Sequence, residues 1–369
     1  MRAKTFTKAL LDRRVVLVSN TAILEQVCIV VKALDAIAGE TTFLLPADPS
    51  NYFGPASTLH LTTEHLGLNA QTVLVDENSD LRFLNDAVII PQTQYLNDHM
   101  PEYLRKQIRQ EQCLYTPYGY SVRTIDDMIS RIAQDARFGG GLIPQTEHYG
   151  KLLARDRFSL VGHPMIFEIA QSLRRSQTPS PRPRVGLHLH WTEQYCSLSY
   201  SMNLIEQFAL QFSEKFGFPL KLLNHPFLHR FGIEVPDTYS AFREVDPLLR
   251  LKNLINDGLL VNDGSASLSD SLQTFDLIIS DGQSLIAFAA AAGVHMAIPE
   301  LPTSSPLIRR IESLPNVTQF DPLDHESSMR TLWEIIDSSL SIDTKPTYFH
   351  HFHVDPERSP IDVWLHCNA

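Results

Sequence analysis

The chain has 369 residues, 43% of them hydrophobic and 20% charged, which is long for one core and comfortable for two globular domains. No run is long and apolar enough to span a bilayer, so a transmembrane helix is not expected. A formal net charge of −11 argues against general nucleic-acid binding and against a broad grip on anionic lipid, both of which need a basic surface, while leaving room for a local basic face.

The segment Met1 to Arg14 is basic but carries no apolar stretch before a small-residue cleavage site, so no secretory leader is expected. Cys28, Cys113, Cys196 and Cys367 lie far apart and fit neither a zinc site nor a disulfide framework. A reducing cytoplasm is the expected home.

In chain order, Val15-Val16-Leu17-Val18-Ser19 is a β-branched run suited to a buried parallel strand. Ile23, Val27, Val30, Val31 and Leu34 then recur at helical spacing between Ile23 and Ala38. Thr42 to Leu45 predicts the next strand, ended by Pro46, and further strands are predicted at Thr72 to Val75 and Ala87 to Ile90. A helix is expected from Met100 to Glu111, and Phe158 to Val161 is a short apolar run closed by Gly162-His163-Pro164.

The Pro- and Ser-rich text from Arg174 to Arg184 reads as a linker. Beyond it the α/β pattern restarts. Strands are predicted at Val185 to His190, Pro219 to Leu223, Gly258 to Val261 and Phe275 to Ile279. Helices are predicted at Met202 to Phe216, Leu285 to Ala292 and Met329 to Leu340. The fold class is therefore α/β, with two Rossmann-like domains spanning 1–176 and 177–369.

Open parallel sheets bind ligands where strands end and loops lead into helices. The strongest such place is Phe275 to Ser284, where an apolar strand meets a Ser280-Asp281-Gly282 turn before an Ala-rich helix. The helix start favours a phosphate, with Ser280 and Ser284 as extra hydroxyl donors, and the competing reading is a capped turn without a ligand.

His190 and His225 each close an apolar run, and parallel strands would bring both to the edge that carries the turn. Imidazole there can take a hydroxyl proton or steady a phosphate oxygen, although single strand-end histidines often serve only as loop hydrogen-bonders. Tyr118, in Tyr115-Thr116-Pro117-Tyr118-Gly119-Tyr120, is a candidate cleft residue, as are Gly162 and His163. His351, His353 and Asp355 would share one side of an extended tail, but a solvated or loosely packed tail without metal is expected there.

These turns, in their order, resemble the CDP-glycerol glycerophosphotransferase family, in its bacterial cell-surface polymer branch. The pieces are Tyr115 to Tyr120, Leu160 to Pro164, Leu187 to Thr192, Leu222 to Leu228 and Asp276 to Ser284. Leu189 and Asn224 stand where the family has prolines, and Ala287 and Phe288 stand where it often has an acidic residue.

The resemblance implies a GT-B fold, with two Rossmann-like domains facing a cleft. It places Ser280, Asp281, Gly282 and Ser284 at a CDP-linked donor, and His190 and His225 at the reacting phosphorus. It implies transfer of glycerol phosphate or a similar polyol phosphate to a cell-surface glycan or polymer acceptor. No cofactor or metal is expected. The alternatives are a nucleotide-sugar glycosyltransferase of the same fold and a non-catalytic nucleotide-binding relative. The expected location is the cytoplasm, with room for peripheral association at the inner face of the membrane.

Overall fold

The computed structural model describes residues 14–18, 29, 32, 40–47, 70–91, 101–109, 112–115, 141–142, 162–173, 182–188, 202–223, 246–264, 268–280, 283–300, 311, 313–321, 324–339, 347–352, 354–360 and 363. Among them the compact units are Met1–Gly119 with Thr124–Glu168 and Phe349–Ala369, and Tyr120–Arg123 with Ile169–Tyr348. The final residues, Phe349–Ala369, group with the first unit.

In the first unit, β1 (Arg14–Val18), β2 (Glu40–Pro46), β3 (Gln71–Val75) and β4 (Val88–Pro91) form a parallel sheet of order β3-β2-β1-β4. The strands follow the apolar runs because parallel strands are buried on both faces and select continuous β-branched text. Val15, Val16, Phe43, Leu44, Ile89 and Ile90 are all fully buried. Pro46 does not stop β2 before itself. It is the last paired residue, opposite Val75, a strand-end position where a missing N–H costs little. Of the helix expected from Ile23 to Ala38, Ile29 and Lys32 are described and both are helical. Helix α1 is shorter than its pattern, Glu102–Gln107. A short parallel pair joins β5 (Leu114–Tyr115) to β6 (Gly141–Leu142).

Helix α2 (Pro164–Leu173) is followed by β7 (Val185–His188), α3 (Met202–Phe216), β8 (Leu220–Leu222), α4 (Asp246–Asn256) and β9 (Leu260–Asn262). Then come α5 (Leu268–Thr274), β10 (Leu277–Ser280), α6 (Gln283–Ala291), β11 (His295–Pro299), β12 (Val317–Phe320) and α7 (His325–Ser339). The second sheet is parallel throughout, in the order β12-β11-β10-β7-β8-β9. Met202, Ile205, Phe208, Ala209 and Phe212 line the buried stripe of α3 and join Leu332, Ile335 and Ile336 of α7 in one core. Each of the Met, Ile, Leu and Phe side chains among them contributes about 1.5–3 kcal/mol on burial.

The linker reading ends too late. Arg182 lies 5.8 Å from the Phe218 ring centroid, and Arg184 is fixed to Asp276. Its backbone N–H and Nε reach Oδ2 at 2.9 and 3.1 Å, and its Nη2 reaches Oδ1 at 2.8 Å. The tail is neither extended nor loose at its start. A 3-10 turn spans Phe349–Phe352, and Phe349, Phe352 and Val354 are buried.

Two stability predictions follow from this packing. Removing one partner of a largely buried ion pair strands the other, so Asp276→Ala is expected to lose about 3 kcal/mol in urea unfolding. Gly186 has no space for a side chain, since a Cβ there would stand 2.4 Å from Leu223 Cδ1 and 3.0 Å from the Phe275 ring. Gly186→Ala should cost about 1–3 kcal/mol through overpacking, seen as a lower midpoint at unchanged m-value.

Candidate functional site

The order β12-β11-β10-β7-β8-β9 reverses between β10 and β7. From β7 the chain goes on to β8 on one side, and from β10 to β11 on the other, so the two connections part company. In doubly wound sheets this switch point, at the carboxyl ends of the strands, is where ligands bind. Because all six strands are parallel, their carboxyl ends put His188, Leu222, Asn262, Ser280, Pro299 and Phe320 on one edge.

At the switch point Ser280 stands opposite His188 in register, and the His188 Nδ1 to Ser280 Oγ distance is 3.0 Å. Both side chains are buried, Ser280 completely. The Ser280 hydroxyl is thus turned to its neighbouring strand, from the last residue of β10. Sequence reading passed over His188 because His190, two residues on, closes the longer run. The available signal was a polar residue inside an otherwise apolar strand.

Helix α6 begins at Gln283, earlier than the pattern implied, so Ser284 lies in its first turn. Leu285 to Ala292 are all buried, making α6 a core helix with an end at the ligand edge of the sheet. Its far end closes on Gly293 at φ 78°. There the Val294 N–H bonds the Ala289 carbonyl and the Gly293 N–H bonds the Ala290 carbonyl, both at 3.0 Å. Ala287 and Phe288 are fully buried.

His190, His225, Asp281, Gly282 and Tyr118 lie outside the described residues, as does the side chain of Ser284. The strand directions that motivated pairing the two histidines are present, since β7 and β8 are parallel neighbours. Asp263, just past β9, accepts a 2.6 Å bond from Ser271 Oγ and lies 3.5 Å from Lys221 Nζ. His295 sits at the opposite edge, 2.9 Å from Thr318 Oγ1, and burial lowers its pKa.

Gly162 and His163 have a local role in the first unit. Gly162 turns the chain at φ 76°. His163 caps α2, its Nδ1 accepting the Met165 N–H at 3.1 Å with Pro164 as the first helical residue. His163 is buried, and that burial pushes its pKa down to about 3. Among the described residues no group of three His, Cys, Asp or Glu side chains is placed to hold a metal. No described helix is long and apolar enough to cross a membrane.

No protein-family model matches the chain, and no curated protein matches it in sequence. Solved structures resemble it in fold. The UDP-GlcNAc 2-epimerase from Neisseria meningitidis bound to UDP-GlcNAc superposes with a TM-score of 0.59 at 10% identity, covering 97% of this chain and 100% of that one. The UDP-GlcNAc 2-epimerase from Methanocaldococcus jannaschii gives 0.57 at 12% identity, covering 97% and 100%. A variant of the wall teichoic acid polymerase TagF soaked with CDPG gives 0.50 at 12% identity, covering 100% of this chain and 93% of that one. The fold is GT-B. Both sheets of this chain share one strand order, since β3-β2-β1-β4 repeats β9-β8-β7-β10 of the second sheet.

Burial of His163 has a pH consequence. Its folded pKa lies below the ordinary 6.5, so the unfolded chain takes up a proton first, and the stability held above pH 6.5 is lost as pH falls toward about 3. This group alone contributes about 1.4 kcal/mol per pH unit within that window. His163→Asn keeps an acceptor for the Met165 N–H but cannot titrate. Its urea stability should fall less steeply between pH 6 and pH 4 than that of the wild type, and an equal slope would show that His163 is not held neutral.

Proposed function

We propose that this GT-B chain is a transferase that uses a nucleotide-activated donor, with polyol-phosphate transfer from a CDP-linked donor as its chemistry. The observation that supports this best is the start of α6 at Gln283, shortly after β10 ends at Ser280, at the switch point of a doubly wound parallel sheet. Backbone N–H groups at a helix start carry partial positive charge and favour a diphosphate without a metal. Asp281, Gly282 and Ser284 are assigned to that donor end, with Ser280 holding the turn from inside.

In this reading the acceptor hydroxyl attacks the phosphorus that bears the polyol, the bond from that phosphorus to the CMP oxygen breaks, and CMP leaves. His190 and His225 are the two groups assigned to the step. One takes the acceptor proton and the other steadies the charge developing on CMP. A glycan or polymer at the inner face of the membrane is the proposed acceptor.

The rival is a nucleotide-sugar enzyme, supported by the UDP-GlcNAc 2-epimerases, whose TM-scores of 0.57 and 0.59 exceed the 0.50 of TagF. The buried Ala287 and Phe288, in place of the family's acidic residue, favour a third reading, nucleotide binding without turnover.

A thermal-shift screen against CMP, CDP, CDP-glycerol, UDP and GDP separates these readings. Ligand at a hundred times its Kd stabilises by about 2.7 kcal/mol, so a rise confined to the cytidine nucleotides is expected. His190→Ala and His225→Ala should then each lose at least about a hundredfold in transfer rate while still binding CDP. A preference for UDP or GDP would transfer the proposal to a nucleotide sugar, and no shift with any of the five would remove the donor site altogether.

A further inference from the structure

The last register pair of β7 and β10 differs from the rest of both strands. Val185, Gly186 and Leu187 on one strand, and Leu277, Ile278 and Ile279 on the other, are buried and offer no polar side chain. Then His188 and Ser280 stand opposite each other, buried, with Nδ1 and Oγ 3.0 Å apart. An imidazole and a hydroxyl both cost desolvation energy when buried, and an apolar pair of similar volume would fill the space at least as well. A hydrogen bond adds direction, which packing does not.

That direction comes at a particular place. Among the described residues, the pair is the last cross-strand tie between β7 and β10 before the chain goes on toward β8 and toward α6. Two residues separate Ser280 from the first residue of α6.

We propose that His188 is a positioning residue of the donor site. Its bond to Ser280 ties the end of β10, and with it the first turn of α6, to the end of β7. The bond holds with either ring tautomer, Nδ1 donating to Oγ or accepting from it. The role attributed to the pair as a donor-site support rests on the donor reading above; the mechanical tie itself does not.

Three variants of the full chain test this: His188→Asn, whose amide can take the place of Nδ1; His188→Leu; and the double variant His188→Leu with Ser280→Ala. Each is measured for thermal midpoint, for calorimetric Kd with whichever of CDP, UDP or GDP binds the wild type, and for hydrogen–deuterium exchange over residues 277–291. The expected result is that His188→Asn binds within about threefold of wild type, while the other two weaken by about tenfold or more, since small misplacements of a binding group are costly.

Exchange over 277–291 should rise in both Leu variants and stay near wild type in His188→Asn. The double variant removes both members of the bond, so neither strands the other, and its thermal midpoint reports whether the fold is kept. Wild-type affinity together with unchanged exchange in the double variant would overturn the proposal. If the wild type binds none of the three nucleotides, the donor reading fails by itself. Exchange then decides the tie: raised in His188→Leu but not in His188→Asn upholds it, and unchanged in both overturns it.

Discussion

Register between the two central strands of the second sheet is the constraint on which everything at the ligand edge depends. β7 and β10 are buried along their whole length, so their apolar pattern is continuous and does not distinguish one register from the next. Polar groups at the strand starts make the distinction. Arg184 grips Asp276 through its guanidinium and its own backbone N–H, and the Asp276 N–H returns a 2.8 Å bond to the Arg184 carbonyl. With that end fixed, Val185 meets Leu277 and His188 meets Ser280. The bare face of Gly186 admits Leu223 and Phe275 against β7, which further restricts sliding.

Helix α6 depends on the same frame. It has no polar face, so it is stable only where sheet and neighbouring helices cover it on all sides. Asn316 helps fix its far end, donating through Nδ2 to the carbonyls of Ala290 at 3.0 Å and Val294 at 2.8 Å. A carboxylate at Ala287 or Phe288 would lie in a fully buried position and require a partner. The apolar residues there are consistent with the packing of this helix, and they distinguish the chain from the family its turns resemble.

Much of the frame was legible because burial on both faces imposes continuous apolar runs. The runs at Val15, Thr42, Thr72 and Phe275 became β1, β2, β3 and β10, and the Met202 to Phe216 pattern became α3 over the same residues. β11 and β12 were missed. His295-Met296-Ala297-Ile298-Pro299 follows an Ala-rich helix without a change of composition, and Val317-Thr318-Gln319-Phe320 is half polar, as its partly exposed place at the sheet edge allows. Helix α4 was missed as well, its pattern broken by charged residues that face water or bond to α3, as Arg250 does to Glu206.

The candidate site divides the same way. By itself the sequence determined that the chain is doubly α/β and that the strand through Ile279 leads into an Ala-rich helix, because turn chemistry and hydrophobic period are local properties. It did not determine which strands adjoin, since pairing in a parallel sheet is settled by long-range packing and by charge pairs such as Arg184 and Asp276, 92 positions apart. Only the tertiary structure brought β7 beside β10, and so set His188 against Ser280 at the point where the sheet reverses its order. It likewise turned His163 inward as a helix cap, where desolvation decides its protonation. Burial and register are properties of the assembled sheet, and no single segment carries them.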